Sequence, residues 1–170
     1  IAYHMCNRTH SDFYTADLIS DILSNGDSSR LYQSLIKENA IFTTIDAYIT
    51  GTFDNGLFVI SGKLNKGISY ESAENELYLQ INKMLREHVG QRELQKVKNK
   101  IESKFIFGET DVLNKAMSLA YYEYLGDAAL MNSETDKYNS KTADMLKNVS
   151  EKIFRKENSS TLYYGLGNLE

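Results

Sequence analysis

The feature that most constrains this chain is a change of hydrophobic period at Ile41. Before it, apolar residues recur every three or four positions; from it they alternate. Ile41, Thr43, Ile45, Ala47 and Ile49 are expected on one face of a strand, with Phe42, Thr44, Asp46, Tyr48 and Thr50 on the other. Asp54-Asn55-Gly56 is a hairpin cue, because Asn and Gly tolerate positive φ, and Leu57 to Gly62 returns as the partner strand. The odd-numbered face is apolar or β-branched throughout, as a sheet packed under helices requires.

The flanking segments supply those helices. Ile1 to Cys6 reads as a short strand. Ser11 caps a helix whose apolar face is Tyr14, Leu18 and Ile22, with Leu23 beside them, and Asn25-Gly26 gives its left-handed stop. A second helix, capped by Asp27 or Ser28, buries Leu31 and Leu35. After the hairpin, Ala73, Leu77, Ile81, Met84 and Leu85 form one stripe ended by Gly90, and Leu94, Val97, Ile101 and Phe105 form another. Asp111 to Met131 is the longest and most apolar segment, with Gly126 as a possible break, and is expected to be covered on much of its circumference. Thr142 caps a last helix bearing Met145, Val149 and Ile153, and Thr161 to Gly165 closes as a strand. This order implies an α+β fold: a mainly antiparallel sheet covered on one face by helices. With no proline linker and no repeat, residues 1–170 read as a single domain. Ile1 falls in what reads as mid-strand, so an upstream segment is expected, and with it an exposed sheet edge near Ile1 to Cys6.

Composition narrows the function classes. The net charge of −4 argues against nucleic acid, and Lys96, Lys98, Lys100 and Lys104, interleaved with Glu93 and Glu102, read as a solvated helical face. No run approaches the ~18 apolar residues of a membrane span; a soluble protein is expected, with its compartment, cytoplasmic or periplasmic, left open. The single cysteine, Cys6, excludes an internal disulfide.

A zinc hydrolase needs two imidazoles about one helical turn apart, a third ligand and a carboxylate. His4, His10 and His88 contain no such pair, and HxxEH is absent. His4 and Cys6 point to the same side of a strand with His10 nearby. That is either a Cys/His metal site or a half-buried His beside a small hydrophobic Cys, and no second thiol or carboxylate completes four ligands. No G-x-S-x-G elbow is present; Ser28 and Ser29 read as cap and first-turn residues. Arg30 either pairs with a buried carboxylate, locking its helix to the sheet, or stays exposed. Asp54 and Asn55 are explained by the turn, and the Gly51–Gly56 loop joins two strands, so it lacks the helix N-terminus of a phosphate site. No catalytic residue, metal ligand or cofactor is expected in this chain.

Ser28 to Gly51, SSRLYQSLIKENAIFTTIDAYITG, resembles a run in the insulinase/pitrilysin-type zinc metallopeptidases, which include the mitochondrial processing peptidase. LISDILSNGDSSRLYQSL resembles that family's helix–Gly–helix step, ELQKVKNKIESKF the helix after its hairpin, and LNKAMSLAYYEYLGDA, the Thr142 helix and SSTLYYG its terminal helices and last strand. The likeness runs in order over nearly the whole chain. It implies the non-catalytic C-terminal lobe of such a peptidase, with a LuxS/metallohydrolase-like fold truncated at its N-terminus. It further implies a zinc-bearing partner lobe, in the same chain or a second subunit, and an unfolded peptide enclosed between the two. The family's substrate-binding Arg and Tyr fall on Ile36 and Thr43, so no substrate clamp is expected here. The alternative implied by the same resemblance is a non-enzymatic assembly module.

Overall fold

The structure, a computed structural model, describes residues 1–165. The alternating segment forms the expected ribbon: β2 (Phe42–Ile49) pairs antiparallel with β3 (Gly56–Leu64). β3 also pairs with β1 (Ala2–Met5), which in turn pairs with β4 (Ser159–Ser160), giving an antiparallel sheet of order β2-β3-β1-β4. β1 is therefore interior, and the edge expected at Ile1–Cys6 is not there. Beyond the two residues of β4, Asn158 continues the cover by donating from Nδ2 to the His4 carbonyl at 2.8 Å. The closing strand lies at Ser159–Ser160, ahead of the expected Thr161–Gly165, which carries no strand pairing.

Tyr3, Met5, Ile45, Ala47, Phe58 and Ile60 face one buried core, while His4, Thr44, Asp46, Tyr48 and Ser61 are exposed on the other face. The helices cover only the first face: α1 (Phe13–Ser24) lies on β2, and α6 (Ala143–Ile153) packs on α1 and β1. α2 (Tyr70–Arg86), α3 (Gln91–Gly108) and the short α5 (Glu134–Asn139) complete that layer. α4 (Val112–Tyr124) runs into a 3-10 turn, Ala128–Ser133, after Gly126 at φ 121° breaks the helix as expected.

Several local expectations change for identifiable reasons. Near the start of β2 the pairing slips: Phe42 opposes Leu64 but Thr44 opposes Lys63, a bulge that turns Phe42 into the core and leaves Thr43 exposed. Gly62 makes room for it, since a Cβ there would sit 2.6 Å from the Phe42 ring. Gly56 is needed for close approach rather than for positive φ, because a Cβ would lie 2.7 Å from the Thr50 carbonyl oxygen. α1 begins after Asp12, not Ser11, with no side-chain cap. The Leu31/Leu35 helix is mostly a π-helix, Tyr32–Glu38, closed by Asn39 N–H donating to the Ser34 carbonyl at 3.0 Å. Gly90, extended at φ −61° and ψ 142°, starts α3 instead of ending α2. Thr142 does cap α6, accepting from Met145 N–H, but Leu146 is buried and Met145 exposed. The largest departure is α4, where Tyr122 alone is fully buried.

Candidate functional site

The structure separates the two positions at which the resemblance places a substrate clamp by role. Ile36, on the π-helix, is half-buried against the core. Thr43, exposed on the bulge, donates from Oγ1 to Asn65 Oδ1 at 2.8 Å, and Asn65 Nδ2 donates to the Ala40 carbonyl at 2.6 Å. The Thr43 hydroxyl thus helps fix the turn into β2, where Ala40 holds a left-handed φ of 48°. Neither side chain offers a cationic fork or a phenol. Arg30 takes the paired alternative, but with a helix rather than the sheet: Nε and Nη2 grip Glu93 of α3 at 2.9 and 2.7 Å, and Nη1 meets the Met84 sulfur at 3.6 Å. The hydrogen bonds to Glu93, with the charges of Glu93 and Glu87, outweigh burial and raise the Arg30 pKa. Ser28 accepts from Lys96 Nζ at 2.9 Å, and Ser29 is buried.

The basic stretch is not a simple solvated face. Lys98 is buried and donates to the Asn139 and Lys141 carbonyls at 2.9 and 2.6 Å, the end of α5, while Lys100 reaches Asn25. Burial lowers the pKa of Lys98, and the two carbonyls keep its ammonium hydrogen-bonded.

The candidate metal residues do not converge. His4 and His10 are exposed, Cys6 is half-buried with its thiol pushed up by burial, and His10 Nδ1 accepts from the Asp12 N–H at 3.0 Å. His88 faces Asp144 at 3.4 Å on another part of the surface. Among the described residues no three His, Cys, Asp or Glu side chains are disposed to hold a metal ion, so the donor set does not fit zinc.

Polar chemistry concentrates instead between α1, α3 and α4. A groove of about 870 Å³ lies there, with Asp17 and Asp21 of α1 on one wall, Lys100 and Lys104 of α3 on another, and Tyr121 and Tyr122 of α4 opposite. Asp17 Oδ2 accepts from the Tyr138 hydroxyl at 2.6 Å. Burial pushes both the Asp17 carboxyl and the Tyr138 phenol up, and the phenol, ordinarily the far weaker acid, keeps the shared proton. The pair is suited to holding a shape, not to proton transfer near neutrality. Behind it, Glu134 accepts from Arg8 Nη2 and from the Tyr14 hydroxyl, the latter at 3.1 Å, and Arg8 Nη1 donates to Tyr14 at 3.0 Å. Burial opposes the Arg8 charge, but Tyr14 and Glu134 more than offset it and raise its pKa. The guanidinium also lies 4.6 Å from the Phe13 ring centre. None of Arg8, Asp17, Glu134 or Tyr138 carries a sequence signal; they meet only because α5, 120 residues or more from β1 and α1, folds back onto them.

An antiparallel sheet with helices over one face defines an α+β domain. The family comparison agrees: the profile described as "Peptidase M16 inactive domain" matches residues 1–101, and the chain belongs to this family. Among solved structures the fold is shared by a protease from Helicobacter pylori, with TM-score 0.86, 20% identity, and coverage of 92% of this chain and 38% of that one. A candidate zinc protease from Bordetella pertussis Tohama I gives TM-score 0.81 at 21% identity, covering 92% of this chain and 87% of that one. The inactive peptidase domain of a candidate zinc protease from Bordetella parapertussis gives 0.83 at 20%, covering 92% and 83%. The chain therefore spans well under half of the Helicobacter pylori protease. No curated protein matches the chain.

Proposed function

We propose that residues 1–170 form the non-catalytic lobe of a zinc peptidase, pairing with a zinc-bearing lobe and helping to enclose an unfolded peptide. The observation that carries this reading is the match of residues 1–101 to a domain described as inactive. Two further points support it: no two histidines stand one helical turn apart, and the resemblance sets Ile36 and Thr43 at the family's clamp positions. Metal, water activation and substrate clamping then fall to residues of the partner lobe, in the same polypeptide or a second subunit, within the cytoplasm or periplasm. Among the described residues no helix is long and apolar enough to cross a membrane.

This chain's own contribution is a rigid wall. The Arg30–Glu93 fork ties the π-helix to α3, and the Arg8–Glu134 pair ties the exit of β1 to α5, so the helical layer is fixed against the sheet. The second reading, a non-enzymatic assembly module, is favoured by the exposed apolar face of α4. Reconstitution separates the two: the HxxEH-bearing lobe from the same polypeptide or a neighbouring gene is assayed on an unfolded peptide with and without this chain. The peptidase reading expects a stable complex and cleavage raised at least tenfold. Absence of any such lobe, or cleavage indifferent to this chain, leaves the assembly reading standing.

A further inference from the structure

α4 leans on the Ala128–Ser133 turn and, through Tyr124, on Phe53, their ring centres 4.8 Å apart, and leaves a slot against α1 and α3. That slot is the groove of about 870 Å³, the size of a small-molecule site. Most of its surface is apolar, from side chains such as Ile101, Phe105, Met117 and Tyr121. Into it face Asp17 and Asp21, one turn apart on α1, so that both carboxylates can reach a single ligand atom group. Asp17 Oδ2 is taken by the Tyr138 hydroxyl, and Asp21 Oδ1 by Asn25 Nδ2 at 2.6 Å. Asp17 Oδ1 and Asp21 Oδ2 accept no hydrogen bond among the described residues, and neither is sealed from solvent. Neither carboxylate enters an ion pair among those residues. Lys100, on the facing wall, is committed to Asn25, and Lys104 stops short of both acids. Burial raises both carboxyls, so the slot is short of positive charge.

We propose that this groove binds a small amphipathic organic cation, its primary ammonium or guanidinium head between Asp17 and Asp21 and its apolar body along Phe105, Met117 and Tyr121. Charge decides the head. Two carboxylate oxygens with open lone pairs match a cation that brings several N–H donors, and such charge-assisted bonds are the strong ones. A divalent metal ion matches less well, because calcium and magnesium demand a shell of oxygens and no third acidic ligand joins the pair among the described residues. An organic cation is the better fit because it also gains from the aromatic faces beside the acids, which offer a metal ion no ligand. The apolar lining decides the body. A bare ammonium would leave Phe105 and Met117 against water, whereas an aromatic or alkyl tail buries them. This proposal does not rest on the peptidase reading.

The test is calorimetric titration of the chain with phenylbutylamine, beside phenylbutanol and phenylbutyrate as neutral and anionic counterparts of the same body. The amine should bind with a Kd at or below about 1 mM, and both counterparts at least tenfold more weakly. Asp21→Asn keeps the side chain's shape and its bond from Asn25 but removes the charge, and should weaken the amine at least tenfold with an unchanged circular dichroism spectrum. Ser118→Arg plants a guanidinium inside the groove and should abolish binding. Lys104→Met, which removes the competing cation on the facing wall, should tighten it. No saturable heat up to about 10 mM amine would overturn the proposal. So would equal affinity for the alcohol, which would make the slot merely apolar, or an affinity indifferent to Asp21→Asn or to Ser118→Arg, which would place the amine elsewhere. An arginine-containing pentapeptide amide that binds a hundredfold more tightly than the amine would overturn the assignment to a small molecule. Each of these failures leaves the proposed function intact.

Discussion

Glu134→Ala should be among the most damaging single substitutions in this chain. Glu134 is 1% exposed and Arg8 6%, so neither charge can turn to water when the other is lost. The carboxylate satisfies one Arg8 nitrogen and the Tyr14 hydroxyl, and Lys137 Nζ stands 3.6 Å away. Removing it leaves a guanidinium buried between Phe13 and Tyr14 without a counter-charge, which costs ~3–5 kcal/mol. Against a total stability of ~5–15 kcal/mol, that is a large fraction, and at ~2–4 °C per kcal/mol for a chain this size the melting temperature should fall by about 6–20 °C. The double replacement Arg8→Met, Glu134→Leu removes both charges together and should recover most of the loss, because the pair's Coulomb gain is largely offset by desolvation. Urea unfolding followed by circular dichroism at 25 °C reads both quantities. A loss below about 1 kcal/mol for Glu134→Ala, the range of exposed pairs, would mean the pair is solvated and the reasoning wrong.

Three further outcomes can be checked on the same footing. Gly62→Ala should cost ~1–3 kcal/mol, since the new Cβ meets the buried Phe42 ring at 2.6 Å and the Thr44 carbonyl at 3.2 Å; Phe42→Leu in the same chain should return part of it, and a neutral Gly62→Ala would refute the bulge packing. Ala40→Gly should stabilise the chain by up to ~1 kcal/mol by relieving the left-handed φ of 48°; a destabilised variant would show that the Asn65 hydrogen bond, not the dihedral, governs that turn. Asp17 has its folded pKa raised by burial, only partly countered by Tyr138. Its contribution is therefore present below the unfolded pKa and lost as pH rises through the folded one. The melting temperature of Asp17→Asn minus that of the parent should accordingly be more positive near pH 7 than near pH 4; an unchanged or reversed difference refutes the desolvation argument.

The sheet and most helices were legible because their signal is local. The two-residue alternation after Ile41, the Gly26 stop and the Thr142 cap each sit within a few residues of the element they define. The reading failed where a distant neighbour decides. The Phe42 bulge depends on the empty face of Gly62, 20 positions on. The π-helix has no local signal either, since Leu31 and Leu35, four residues apart, would share a face of an ordinary α-helix equally well. Gly90 is ambiguous by chemistry, since the same residue serves as a helix stop or an N-cap. α4 was read as covered because its composition is apolar, but composition does not say whether the covering atoms belong to the same chain. Ile36 and Thr43 could be located from the resemblance alone, whereas the Arg8–Glu134 and Asp17–Tyr138 contacts join segments far apart in sequence and had no local trace.

The central claim is that this chain shapes an enclosure and leaves bond cleavage to another lobe. The most direct measurement is metal content of the purified chain, taken together with its hydrolysis of a quenched-fluorescent unfolded peptide. The account predicts zinc far below one equivalent and no turnover that a chelator abolishes. One zinc per chain, with cleavage lost on chelation and restored by the metal, would contradict it.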